Sequence, residues 1–288
     1  ENTKPEVTGA DGKDIIFPIE KYGIKIMSIG FFVRKEQGLI WRGPMAANAI
    51  TQLFENTKWG EIDFMIVDFP PGTGDIQLTT MQKLKLSGVI MVTTPQEVAM
   101  NDARKAASMF ANVDLNVLIL GVVENMSWFS PKPHPEEKYY LFGKGGGNIL
   151  ALELKTSLMA QIPLVSEIGE AAEKGLTIFD QSDVKTIEAF EKIAEGLVYQ
   201  TSKQTVWQIE NGKSNQKKKR QARIRVAFPV FGNHFYALRK DKIVYPEDSL
   251  KLICRYCVAC NPNLAALEYN PILVIEISSN KSVNEKRI

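Results

Sequence analysis

Asp68, Gly72 and Thr73 stand in the run Asp68-Phe69-Pro70-Pro71-Gly72-Thr73-Gly74-Asp75, directly after the apolar segment Phe64-Met65-Ile66-Val67. A short continuous apolar run is the pattern of a strand buried on both faces of a parallel sheet. An acid at the carboxyl end of such a strand sits where open α/β sheets place their ligands. The two prolines stiffen the exit, and Gly72 and Gly74 let backbone N–H groups come close to a phosphate. An Asp at that place can hold a Mg²⁺-bound water. The plainer alternative is a tight strand–helix turn capped by Asp75.

A second glycine run, Gly143-Lys144-Gly145-Gly146-Gly147-Asn148-Ile149, invites the same chemistry but does not supply it. A phosphate loop needs a Lys for the β/γ-phosphates and a Ser or Thr for Mg²⁺ where this run ends in Asn-Ile. All three cysteines fall in Cys254-Arg255-Tyr256-Cys257-Val258-Ala259-Cys260. That spacing is half of a bacterial ferredoxin ligand set, without the fourth cysteine and the proline that follow it. Cys254, Cys257 and Cys260 are therefore candidate metal ligands, with buried or incidental thiols as the alternative. Three cysteines in 288 residues do not form a disulfide scaffold, and a reducing cytoplasmic setting is expected.

The elements that must position these residues follow from periodicity. Strands are expected at Ile24–Phe31, Ile62–Val67, Val89–Thr93 and Leu115–Val123. Helices are expected at Pro44–Glu55, from about Asp75, and at Glu97–Ala111, Ile149–Thr156, Val165–Lys174 and Val184–Leu197. Such alternation specifies an α/β fold with a mostly parallel sheet flanked by helices and right-handed crossovers. Asp68–Asp75, Thr93–Gln96 and Glu124–Met126 all fall at strand carboxyl ends, where loops converge on one crevice. Residues 1–200 suffice for one sizeable core.

Charge divides the chain near residue 200. Residues 201–288 carry 16 Lys/Arg against 7 Asp/Glu, whereas residues 1–200 carry 19 against 26. The basic part, with Lys217-Lys218-Lys219-Arg220, shows neither helical period nor sustained alternation and is expected to be an irregular tail or a segment foreign to the body. A solvated charge run explains it better than a nucleic acid partner. No stretch reaches the roughly 18 consecutive apolar residues of a membrane span. The acidic start, with Glu1, Glu6 and Asp11, is unlike a secretory signal.

Five motifs in order, Ile40-Trp41-Arg42-Gly43-Pro44-Met45, Asp68–Asp75, Gly88–Gln96, Val117–Met126 and the Phe142-Gly143-Lys144 segment, resemble the Mrp-type iron–sulfur cluster carriers. These are ATPases of the deviant phosphate-loop class, and the resemblance runs from about Gly23 to about Asp180. It implies an incomplete phosphate-loop NTPase fold with ATP and Mg²⁺ as ligands. Asp68 resembles the acid that orders Mg²⁺ through water, and Gly72 the backbone donor that senses the γ-phosphate, with Thr73 beside it. Asn125 resembles the asparagine that reads the adenine edge, with a strand-end cap as its plainer role. Pro163 lies in Ile162-Pro163-Leu164, which matches a loop near the base.

Two family features are missing from the sequence. The Gly-Lys-Gly-Gly-Val-Gly-Lys-Ser/Thr loop and the strand ending Asp-Ala-Asp should precede Gly23, so the chain is expected to be amino-truncated. The Cys-x-x-Cys pair that holds a [4Fe–4S] cluster across a homodimer is replaced by Ser127–Glu137, which has no cysteine. His134 in that loop is expected to be solvated. The resemblance implies a cytoplasmic carrier that hydrolyses ATP and hands clusters to apo iron–sulfur proteins, impaired here as an enzyme. Alternatives are a septum-site or partitioning-type positioning ATPase and a degenerate scaffold without turnover.

Overall fold

The computed structural model describes residues 4–10, 13–32, 43–60, 62, 64–69, 75–84, 86–112, 117–181 and 183–210, with three later segments at 223–228, 234–238 and 273–278. A hairpin of β1 (Glu6–Ala10) and β2 (Lys13–Phe17) forms a separate two-stranded antiparallel sheet. The main sheet contains β3 (Ile19–Lys21), β4 (Ile24–Ser28), β5 (Phe64–Asp68), β6 (Gly88–Thr93), β7 (Ile119–Glu124) and β8 (Leu158–Gln161). Its helices are α1 (Gly43–Asn56), α2 (Asp75–Lys83), α3 (Glu97–Phe110), α4 (Gly146–Glu153), α5 (Ser166–Glu173), α6 (Ile178–Gln181) and α7 (Val184–Glu210). The later segments form β9 (Arg223–Phe228), β10 (His234–Leu238) and β11 (Leu273–Ser278).

The strand order is β3-β4-β10-β5-β11-β9-β6-β7-β8, with β9 also registered directly against β5. The pairings β5–β9, β9–β6, β6–β7 and β7–β8 are parallel, as expected for the crossover region. The antiparallel pairings of this sheet are β3–β4, β4–β10, β10–β5, β5–β11 and β11–β9.

Both faces of the sheet are covered, which explains why the strands read as unbroken apolar runs. Successive side chains still alternate between faces. Met65, Val67, Val89, Met91 and Val122 join Ile50, Leu53, Met81, Ala103, Phe110 and Leu150 of α1 to α4 in one cluster. Ile66, Ile90, Val92, Leu120 and Val123 join Ile178, Phe190, Ile193 and Leu197 of α6 and α7 in the other. Phe69, the first residue beyond β5, stacks tilted on Phe110 of α3, with centroids 6.3 Å apart at 58°. That contact fixes the strand exit to the helix that follows β6.

Three expectations need correction. The strand expected over Ile24–Phe31 stops at Ser28, whose side chain accepts the Gly30 N–H and turns residues 29–31 into a 3-10 helix. The basic segment beyond residue 200 was expected to be irregular, yet β9, β10 and β11 within it are registered against β5. Their residues, Arg223–Phe228 and Leu273–Ser278 among them, are rich in β-branched and aromatic types that suit a sheet. The helix expected to end at Leu197 continues as α7 through residue 200 to Glu210. No described helix is long and apolar enough to cross a membrane.

Candidate functional site

Asp68 closes β5 with its side chain 8 % exposed. The apolar run before it drives the strand into the core and carries the carboxylate with it to the carboxyl edge. Gly72 and Thr73, with Pro70, Pro71 and Gly74, lie outside the described residues, as do Trp41 and Arg42. Cys254, Cys257 and Cys260 lie outside them too.

Strand β9 pairs in parallel with both β5 and β6, and β6 ends at Thr93, which is paired in register with Glu124 at the end of β7. Since β5, β9, β6 and β7 run parallel, Asp68 and the ends of β6 and β7 all lie at strand carboxyl ends. The Asn125 N–H donates to the Thr93 carbonyl at 2.7 Å, so the half-buried Asn125 is fastened to the end of β6. Its Oδ1 accepts the Met126 N–H at 3.0 Å. The amide nitrogen of Asn125 thereby points away from its own turn as a donor. Met126 adopts φ 53°, a left-handed conformation that a bulky residue rarely holds without outside constraint.

That constraint is a ring of hydrogen bonds. Ser127 N–H donates to the Ile162 carbonyl at 2.9 Å, and Ile162 N–H to the Glu124 carbonyl at 2.8 Å. The buried Pro163 follows, so the loop after β8 is laced to the Asn125 turn. Pro163 and Asn125 thus belong to one unit, while Asp68 stands at the opposite end of the same edge.

Glu124 is the residue that sequence reasoning passed over. It is 1 % exposed and accepts from Ser127 Oγ at 2.7 Å, Gln161 Nε2 at 2.7 Å and the Gly147 N–H at 2.5 Å. The signal available was an acid ending the buried run Ile119–Val123, a place where a charge needs partners. The same bond explains why the glycine run at 143–147 cannot cradle a phosphate. Gly147 already gives its N–H to a carboxylate, and a Cβ at Gly146 would stand 2.5 Å from the Pro95 carbonyl oxygen. These glycines serve close packing of α4 on the loop after β6.

Residues 128–145 form a flap between the Asn125 turn and α4. Phe129 bridges Tyr139 within the flap and Leu164 after β8. Lys138 Nζ lies 3.9 Å from the centroid of the Trp128 ring, a cation–π contact. Lys132 pairs with Glu167 of α5 at 2.7 Å, which raises the Lys132 pKa and lowers that of Glu167. The hydrogen bond from Tyr139 to Glu137 raises the tyrosine pKa. His134, as expected, is exposed, 3.6 Å from Glu136.

His134, Glu136 and Glu137 present ligand atoms within 4.8 Å of one another, all on exposed side chains. Nitrogen and carboxylate donors do not suit an iron–sulfur cluster, which is held by thiolates. The flap therefore does not fit the two-plus-two cysteine arrangement. Asp68, a buried carboxylate at a strand carboxyl end, does fit a water-bridged Mg²⁺. Thr94 Oγ1 lies 3.3 Å from Gln96 Oε1 and Lys105 pairs with Asp102 at 3.0 Å, so these polar groups near the β6 exit and on α3 are engaged with each other.

Comparison with known proteins matches residues 2–198 to the family described as the NUBPL iron-transfer P-loop NTPases (ParA). The chain is 44 % identical over 196 residues to the iron–sulfur cluster carrier protein of Aquifex aeolicus, covering 67 % of this chain and 53 % of that protein. It is 42 % identical over 198 residues to an Arabidopsis thaliana mitochondrial iron–sulfur protein required for NADH dehydrogenase, covering 68 % and 61 %. Identity to the mouse iron–sulfur cluster transfer protein NUBPL is 40 % over 186 residues, covering 64 % and 57 %. A nucleotide-binding protein of Archaeoglobus fulgidus, solved with ADP, aligns at TM-score 0.43 and 33 % identity over 56 % of this chain and 60 % of its own. The chain thus spans little more than half the length of these relatives. It belongs to the NUBPL iron-transfer P-loop NTPase family.

Proposed function

We propose that this chain is the nucleotide-responsive part of an iron–sulfur cluster carrier, with clusters as cargo for apo iron–sulfur proteins. The observation that carries the reading is that Asp68, Thr93 and Asn125 stand at the carboxyl ends of strands that run parallel in one sheet. Such an edge is where α/β sheets hold nucleotides. In this reading Asp68 orients water around Mg²⁺, and the metal neutralises charge on the β- and γ-phosphates. Gly72 and Thr73 offer backbone donors to the phosphate end. Asn125 gives its free amide donor to the adenine edge, with Pro163 flanking the base.

The family match ending at residue 198 supports a functional body of about residues 1–200, with 201–288 as a separate basic segment. Two copies in a homodimer, in the cytoplasm, complete the proposal. Cys254, Cys257 and Cys260 are the thiolates available to hold cargo, since the flap has none. A second reading, a scaffold that binds without turnover, is favoured by the Ser127–Glu137 loop, which holds no cysteine pair. The test is anaerobic reconstitution with iron and sulfide, followed by transfer to an apo-ferredoxin. The carrier reading expects labile, thiolate-type visible absorbance that disappears in Cys254→Ser/Cys257→Ser and moves to the acceptor in the wild type. Full iron and absorbance retained by that double variant would overturn the cysteine assignment. Absence of any cluster or transfer in the wild type would leave the scaffold reading in its place.

A further inference from the structure

Glu124 takes no part in the nucleotide chemistry above, yet its carboxylate is withdrawn from water and filled with donors from three separate segments. Ser127 Oγ closes the turn that carries Asn125, Gln161 ends β8, and Gly147 stands at the start of α4 where the flap returns to the body. Ser127 Oγ also lies 3.0 Å from the Glu124 carbonyl oxygen, so its one proton faces two acceptors of the same residue across the left-handed Met126 turn. Trp128, the next residue, begins the flap.

We infer that Glu124 is a positioning residue that couples occupancy of the base-reading turn at Asn125 to the flap of residues 128–145. The inference rests on the adenine reading of Asn125. A base drawn against Asn125 displaces a turn that the Ser127 side chain ties to Glu124 at the end of β7. The hydroxyl transmits that displacement to the carboxylate, and the carboxylate to the Gly147 N–H. There is little slack at the far end: a Cβ at Gly147 would stand 2.7 Å from Glu124 Cβ and 3.1 Å from its Oε2. The residue before the flap, Ser127, and Gly147 just after it are therefore bonded to the same carboxylate. A carboxylate can do this because it is acceptor-only and serves three donors at once. A glutamine in its place keeps the Gly147 bond only by turning its NH₂ toward Ser127 and Gln161, which must then turn over to accept, so the present set of three donors on one group is lost.

The test uses the full chain labelled with 5-fluorotryptophan, its Trp128 resonance among four tryptophans assigned by Trp128→Phe. Mg²⁺·ADP is titrated while binding is followed independently by saturation transfer to the adenine protons. The wild-type Trp128 resonance is expected to move with ADP. In Glu124→Gln that movement should fall at least about fivefold, the lower end of ordinary coupling factors, while the ADP half-saturation changes less. Ser127→Ala, which leaves Gly147 and Gln161 on the carboxylate, should lose the Trp128 movement as well and keeps the test open if Glu124→Gln does not fold. A purely structural Glu124 predicts equal loss of binding and movement, which overturns the coupling. So does a wild-type Trp128 that ignores ADP although saturation transfer is present. Absence of saturation transfer in the wild type counts against the adenine reading itself and removes the coupling with it.

Discussion

Arg104 on α3 grips Glu153 on α4 through two parallel bonds, Nε to Oε2 at 2.7 Å and Nη2 to Oε1 at 2.9 Å. Its Nη1 reaches Glu97 at 2.6 Å and Asn101 at 2.8 Å, so one guanidinium joins the start of α3 to the end of α4. The fork geometry suits Arg and not Lys. These hydrogen bonds raise the Arg104 pKa and hold the Glu153 carboxyl below its ordinary 4.5. A carboxylate depressed in the folded state contributes stability above its unfolded value and loses it as pH falls through the folded one. Arg104→Ala should therefore lower the melting temperature modestly at neutral pH, with the gap to wild type closing in acid and shrinking in high salt. Melting curves at neutral pH and below 4.5 measure it. An equal gap at both would show that packing, not charge, is what Arg104 supplies.

Gly147→Ala places a methyl group 2.7 Å from Glu124 Cβ and 3.0 Å from Leu158 Cδ1, both inside a packed layer. Overpacking of this kind costs about 1–3 kcal/mol. Urea unfolding should show that loss as a lower midpoint with an unchanged slope. A neutral substitution would mean that α4 can slide along β7, contrary to the packing described.

Phe69 is 2 % exposed and closes the β5 exit on Phe110. Phe69→Ala should cost ~3–5 kcal/mol by lost burial and a residual cavity. Val98→Ala on α3, at a side chain 73 % exposed, should stay within about 0.5 kcal/mol. Chemical denaturation of the pair distinguishes a core role from a general sensitivity of this region.

The strands nearest the candidate site were legible because both faces of the sheet are covered. Val89–Thr93 and the run before Asp68 are apolar without interruption, and an acid or threonine then marks where each strand surfaces. Helix α3 was legible by its buried Ala103, Ala106, Ala107 and Phe110 at helical spacing. Strand β8 was not: Leu158–Gln161 has four residues, only Ala160 fully buried, and β-propensity says little at that length. Glu124's function was hidden for a different reason. Its partners Gly147 and Gln161 lie 23 and 37 positions away, and only the crossovers from β7 to α4 and β8 bring them to it. The pairing of 223–228 and 234–238 with β5 was equally invisible, since register between distant strands is set by the sheet and not by either segment.

That pairing makes β5 dependent on the basic segment. Removing residues 211–288 should expose unpaired N–H and C=O groups along β5, a template for association with other chains. Sedimentation of the shortened protein should show concentration-dependent species larger than those of the full chain, with hydrogen exchange at Met65–Val67 accelerated. No larger species and unchanged exchange would show that β9, β10 and β11 do not protect β5.

The most direct test of the nucleotide reading is a calorimetric titration of the full 288-residue chain with Mg²⁺·ATP and Mg²⁺·GTP, wild type beside Asn125→Ala. These residues include Asp68 and Asn125 but no Lys-bearing phosphate loop, so weak adenine-preferring binding without meaningful hydrolysis is expected. Asn125→Ala should erase most of the preference for adenine, a difference of about 1–3 kcal/mol for a recognition pair of this kind. Equal binding of ATP and GTP by the wild type, or micromolar Mg²⁺-dependent ATP binding with turnover that survives Asn125→Ala, would contradict the account.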